Sequence, residues 1–230
     1  MDQVLRNLGL SARDEVVHSQ IREDGAAPFL VAIVPGLARG CHSADYMAMQ
    51  MQPCVDGRTA MTLLLQFDHA TRKSPLDQLK KDECVGNVKR IANANRERCS
   101  VVLAVQTFSN DRGSSPSCRE RLPDRVTMQH LALGRAFQLA RNRLPAPEFY
   151  LRTRLDDVGW LGCIPLPGFS RPTRPFIAFN KYGMYVNHHG AGLSARQVVR
   201  VPSDRFALVP AALAPLVFEA WRVWETPNCT

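Results

Sequence analysis

The chain of 230 residues predicts an α/β sandwich with a largely parallel central sheet. Two observations carry that reading. Short apolar runs suited to buried strands alternate along the chain with stretches of helical periodicity, the pattern of strand–helix–strand units. One such strand, Glu148 to Leu151, runs directly into Arg152, Arg154, Asp156 and Asp157. That is the kind of polar cluster open α/β sheets place at the carboxyl ends of their strands.

Taken in order, residues 1–27 predict a short helix carrying Val4, Leu8 and Leu10, then a polar segment from Arg13 to Gly25. Phe29 to Val34 reads as a buried strand ended by Pro35-Gly36. From Ala60 to Phe67 the residues are apolar with little β-branching, so helix and strand compete, and strand is preferred. Residues 74–98 form a charged helical region with Ser74-Pro75 as cap and first position. Ser100 to Val105 is a second strong strand, and Ser109 to Asp124, rich in Ser, Pro, Arg and Gly, reads as a surface loop. Met128, Leu131, Ala132, Ala136, Leu139 and Ala140 then repeat at helical spacing, a core stripe that stops before Pro145. After the strand into Arg152 come a proline-rich connection (Pro165, Pro167, Pro172, Pro175) and a strand at Phe176–Phe179. A loop over 180–196 follows, and a last helix runs from about Pro210 to Trp224. The whole chain is expected to form one domain.

The balance of 29 basic and 21 acidic residues gives a net charge of +8. The basic residues are scattered and carry no recognition module, so a nucleic-acid-binding role is not predicted. Arginines outnumber lysines 24 to 5. That bias suits discrete phosphate sites, because guanidinium binds phosphate bidentately, and equally reflects gene composition. The seven cysteines include no C-x-x-C pair, so a zinc site is not indicated. Either free core thiols or a few secretory-pathway disulfides fit their dispersal. No apolar run is long enough to span a bilayer, and Met1 to Leu10 lacks the pattern of a signal peptide. The chain as written reads as soluble.

Chemistry concentrates in two places. Asp156 and Asp157 offer hard oxygen ligands of the kind that hold Mn²⁺ or Mg²⁺ with substrate phosphates. Adjacent aspartates after a strand also serve as turns or helix caps. Arg152 and Arg154, two apart, share one face of the strand. The second place is Asp204-Arg205-Phe206-Ala207 before Pro210. Asp204 there fits either a general base or an N-cap with a salt bridge. Trp160 fits a stacking platform or a packing residue, and the loop pair His188-His189 reads as inert.

These two elements, in order, resemble a divergent group of nucleotide-sugar glycosyltransferases of the type found in algae and large DNA viruses. The likeness rests on Tyr150, Arg152, Arg154, Asp156 and Trp160, then Pro165 and Pro167, then Asp204-Arg205-Phe206-Ala207 with Pro210. Thr153-Arg154-Leu155-Asp156 is also similar to the T-R-L-D-x-D strand of bacterial rhamnosyltransferase-like proteins. The resemblance spans residues 128–221. It implies a GT-A-like, Rossmann-related sandwich, with 128–225 as the glycosyltransferase-like half. Residues 1–120 lie outside the likeness, which implies an N-terminally shortened fold with Phe29–Gly36 as the nearest counterpart of a nucleotide-binding strand. The implied activity is metal-dependent transfer of a sugar from a nucleotide diphosphate donor to a glycan or protein hydroxyl. Asp156, with Asp157 secondary, would hold Mn²⁺ or Mg²⁺. Arg152, Arg154, Trp160 and Arg205 would bind substrate, and Asp204 would act on the acceptor. A secretory-pathway lumen is the compartment implied, and a noncatalytic relative that binds glycans or partners is the alternative.

Overall fold

A computed structural model describes residues 10–37, 41–57, 59–68, 75–110, 124–154 and 207–219. They form a six-stranded sheet with helices on both faces. In chain order the elements are β1 (Leu10–Gln20), β2 (Leu30–Leu37), α1 (Ala44–Val55), β3 (Thr59–Asp68), α2 (Pro75–Ala94) and β4 (Val101–Asn110). Then come α3 (Asp124–Arg143), β5 (Phe149–Arg152), β6 (Ala207–Pro210), a 3₁₀ turn (Ala211–Leu213) and α4 (Ala214–Phe218). The spatial order is β1-β4-β3-β2-β5-β6. β4, β3, β2 and β5 are parallel, and an antiparallel strand flanks each side. The expected α/β class with a mostly parallel sheet is therefore present.

Leu30, Val31, Ala32 and Ile33 are all fully buried, as a central parallel strand covered on both faces requires. Even-numbered β2 residues (Leu30, Ala32, Val34) pack with Met47 and Met51 of α1 and Val88 and Ile91 of α2. Val31 and Ile33 pack on the opposite face with Ala132, Leu133, Ala136 and Phe137 of α3. The sheet is thus doubly wound, with α1 and α2 on one face and α3 and α4 on the other. Its parallel core has the 3-2-1-4 order of such sheets, and the order reverses between β2 and β5.

Several elements depart from expectation. β2 does not end at Pro35-Gly36 but continues to Leu37. A strand residue's N–H and C=O point to the same side. The Ile33 carbonyl accepts from the Thr153 N–H, 3.0 Å away, so Pro35, two residues on, faces β5 just past the last paired position and leaves the pairing with β3 intact to Leu37. Its missing N–H falls where the β2–β5 ladder ends. The polar segment expected over Arg13 to Gly25 is largely β1, an edge strand antiparallel to β4. A bulge between Val16 and His18 breaks its alternation, so residues of the same parity change faces: Asp14 and Val16 face α3, while Gln20 bonds to Ala92 of α2. The final helix is shorter at its start than expected: Pro210 closes β6, and α4 begins only at Ala214.

Sequence reading missed α1. Ser43 caps it, its hydroxyl accepting from the Tyr46 N–H, and Met47, Gln50, Met51 and Cys54 form its buried stripe. Pro53 lies in its last turn. Gly57, at φ 72°, then turns the chain into β3 in a conformation other residues adopt poorly. The surface loop expected over Ser109 to Asp124 begins later and ends earlier, since β4 runs through Asn110 and α3 starts at Asp124; residues 111–123, the strand expected at Phe176–Phe179 and the loop over 180–196 fall outside the described residues.

The four cysteines among the described residues form two disulfides, Cys41–Cys84 and Cys54–Cys99. Both tie the α1 segment to the α2 segment, one at each end of α1. Cys41 precedes α1 at the carboxyl edge of the sheet, and Cys99 precedes β4 at the amino edge. The amino edge is tied further by Gln20, whose side-chain amide donates to the Ala92 and Cys99 carbonyls at 2.9 Å each.

Candidate functional site at the carboxyl edge

The crevice where β2 and β5 part is where an open α/β sheet takes its ligand. β5 pairs with β2 from Phe149 to Arg152, opposite Leu30 to Ile33. The strand ladder stops at Arg152, yet the alternation persists: Leu151 and Thr153 are buried, while Arg152 and Arg154 are half-buried. Both arginines are thus set at the reversal point, as their spacing predicts.

β6 contributes the second half of the arrangement. It runs antiparallel to β5, and Ala207 is the register partner of Arg152. The chain therefore enters β6 beside the point where it leaves β5. Asp204 and Arg205 stand just before Ala207 in sequence, and Asp156, Asp157 and Trp160 stand just after Arg154. These five site residues lie outside the described residues, as do His188 and His189. Among the described residues no three His, Cys, Asp or Glu side chains group as a metal site. The pair expected from sequence to hold Mn²⁺ or Mg²⁺, Asp156 and Asp157, lies outside them.

On the α3 face the same edge carries polar groups that sequence reading did not single out. His130, half-exposed on α3, has its pKa held below the ordinary value, first by burial and then by the Arg152 charge. Its imidazole is therefore biased toward the neutral form next to a permanent cation.

On the same face a part-buried polar chain crosses three strands. Gln66 donates to the Gln106 side-chain oxygen at 3.2 Å, and Gln106 donates to Asp14 Oδ1 at 2.7 Å. Arg135 of α3 lies against Asp14 Oδ2 as an ion pair. Gln106 is 1% exposed, so its amide must be satisfied inside the protein, and it is. Toward the middle of the sheet the same face is apolar, with Leu64, Val102, Ala104 and Val16. The interior turns from hydrocarbon to amide, carboxylate and guanidinium as it nears the carboxyl edge. No local signal could have found this chain, because Asp14 and Gln106 are 92 residues apart and meet only through β1–β4 register.

Set against protein-family models and against characterised proteins, the chain matches none. Function must therefore be argued from this edge. Among the described residues the edge supplies the Arg152 and Arg154 guanidinium groups, a neutral-leaning imidazole, and the pairing of β5 with β6. No helix among the described residues is long and apolar enough to cross a membrane.

Proposed function

We propose that the chain is a GT-A-like glycosyltransferase that moves a sugar from a nucleotide diphosphate donor to a glycan or protein hydroxyl. One observation carries the reading: Arg152 and Ala207 are register partners at the point where strand order reverses. The R-x-R-x-D and D-R-F-A elements are far apart in sequence, and this pairing joins Arg152 of the first to Ala207 of the second. A chance likeness of two separate motifs would not require their strands to be neighbours. The central position of β2 also supports it as the nucleotide-side strand, despite the absence of likeness over residues 1–120.

In this reading Arg152 and Arg154 bind the diphosphate, where paired charge-assisted hydrogen bonds hold and orient it. Asp156, with Asp157 secondary, would hold Mn²⁺ or Mg²⁺. Such an ion neutralises charge on a diphosphate leaving group. Asp204 takes the proton from the attacking acceptor hydroxyl, Arg205 steadies the acceptor, and Trp160 offers a stacking face. The two disulfides support maturation in an oxidising compartment, consistent with glycan or protein acceptors there.

Calorimetric titration of the folded chain with UDP and with GDP, each with and without Mn²⁺, tests the proposal. Metal-dependent binding of one nucleotide is expected, weakened by Asp156→Ala. Replacing Arg154 by Ala removes a charged phosphate contact, expected to weaken binding by about 10- to 100-fold. Folded protein that binds neither nucleotide overturns the reading. Binding without transfer to any offered acceptor identifies the noncatalytic alternative.

A further inference from the structure

The face on which Arg152 lies follows from its neighbours. Tyr150, two residues earlier on β5, meets Phe137 of α3 edge-on at 5.0 Å, and both belong to the core on the α3 face. Residues two apart on a strand share a face, so Arg152 lies on that face as well. Its register partner Ala207 is packed in the same core, as a cross-strand neighbour of an α3-face residue should be.

Phe137 also locates a second group. The last turn of α3 leads into the start of β5 at the amino edge, so the helix runs against the parallel strands. His130 precedes Phe137 by about two helical turns, with Leu133 of the core between them on the same stripe. From the Phe137–Tyr150 contact, the way to the carboxyl edge therefore leads to His130 along the helix and to Arg152 along the strand. By the ordinary rises these steps are about 10 Å and about 7 Å, a difference that an arginine side chain spans. The contribution of the Arg152 charge to the lowered His130 pKa agrees with this placement.

The charges around the imidazole are one-sided. Arg152 bears on it from β5. To the same face β2 brings Val31 and Ile33, while β3 and β4 bring Leu64, Val102 and the amides of Gln66 and Gln106, none of which titrates. The carboxylates described on this face are engaged elsewhere: Asp14 of β1 with Arg135 and Gln106, and Glu219, after α4, with Arg141 toward the far end of α3.

We infer that His130 is a second cation for the donor diphosphate: as the nucleotide docks on Arg152, the half-exposed imidazole takes a proton from solvent and binds phosphate beside the guanidinium, so affinity rises with acid. This rests on the glycosyltransferase reading above. A nucleoside diphosphate carrying one divalent ion keeps a net negative charge. It offsets the Arg152 charge that opposes protonation and gives the imidazolium an acceptor, so the complex holds the proton more firmly than the free protein does. By linkage, Kd falls as pH drops through the pKa of His130 in the complex and levels off below its pKa in the free protein.

The test follows the His130 imidazole of the full chain by NMR, its signals assigned through the backbone, with and without saturating UDP or GDP. Mg²⁺ is the ion used, avoiding the line broadening of Mn²⁺. Calorimetric affinities of the wild type and H130Q are compared from about pH 7.5 to about pH 5.5, across the histidine range. The nucleotide's own ionisation is common to both proteins and cancels in their ratio. Expected are a raised His130 pKa in the complex and a wild-type to H130Q affinity ratio that grows about 3- to 10-fold with acid, the gain from a rise of about half to one pH unit. A His130 pKa that stays or falls at saturation overturns the inference, as does a ratio flat with pH. Folded wild-type protein that binds neither nucleotide overturns the glycosyltransferase reading instead. Sulfate, set against chloride at equal ionic strength, then replaces the nucleotide: a His130 pKa raised by it upholds the imidazole–guanidinium anion site, and an indifferent one rejects it.

Discussion

The two faces of the sheet are held by different means. On the α1/α2 face, α2 offers a narrow stripe of Cys84, Val88, Ile91 and Ala92, and α1 packs with flexible methionines. That face carries both disulfides. On the α3/α4 face Phe137 stacks on Phe218 at 5.0 Å and meets Tyr150 edge-on at 5.0 Å, with Arg141 over the Phe137 ring. No disulfide joins α3 or α4 among the described residues. Covalent closure stands in for bulk where the interface is thin, and aromatic packing suffices where it is thick.

The sharpest way to break that contrast is at Phe137, which is 1% exposed at the centre of the aromatic group. Phe137→Ala is expected to lower stability by about 3–5 kcal/mol through lost burial and a cavity between α3, β5 and α4. Urea denaturation measures it, and a loss near that of a surface substitution would show that packing does not hold this face.

Disulfide removal tests the other face. With loops of 43 and 45 residues, chain entropy assigns each bond nearly the same stabilisation, about 4 kcal/mol, with about 2–4 typical in practice. C41A/C84A and C54A/C99A should therefore shift the denaturation midpoint by similar amounts. A large difference would mean that local packing, not closure, sets their value.

A smaller effect is expected where the α3 face turns polar. Gln106→Leu takes from Gln66 the acceptor of its amide and leaves Asp14 with Arg135 alone of its two partners, and about 1–3 kcal/mol should be lost in the same titration. A neutral outcome would show that water replaces the amide, and that this edge is wetter than the burial of Gln106 implies.

The same contrast decides what could be read beforehand. β2, β3, β4 and β5 are legible because strands buried on both faces are continuously apolar, Leu30–Ile33 most clearly. β1 is not, because an edge strand may be polar and its bulge removes the period of two. β6 is four residues long and merges into the following turn, and Pro53 disguised the capped stripe of α1. Disulfide partners cannot be deduced from spacing. Arg152 and Arg154 were legible as strand-end residues. The proximity of Arg152 to His130 and to the entry of β6 depends on register and on where α3 lies, which no local pattern encodes.

The subtlest expectation concerns acid. His130 on the α3 face and His18 on the α2 face both have pKa values below the ordinary 6.5, each chiefly through burial, helped by Arg152 and Lys89 respectively. Folding therefore favours their neutral forms. As pH falls below about 6.5, the unfolded chain takes up these protons before the folded chain does, so stability declines until the lowered folded values are passed. Above that range the two groups impose no penalty. Denaturation midpoints at a series of pH values from neutrality downward should fall with acid, and His130→Gln should flatten part of the slope. Arg152→Gln should raise the His130 pKa, read from its imidazole NMR shifts, because the second cause of the lowering is removed while burial remains. If instead the His130 titration is indifferent to Arg152, the two groups do not face each other, and the carboxyl edge loses the imidazole assigned to it.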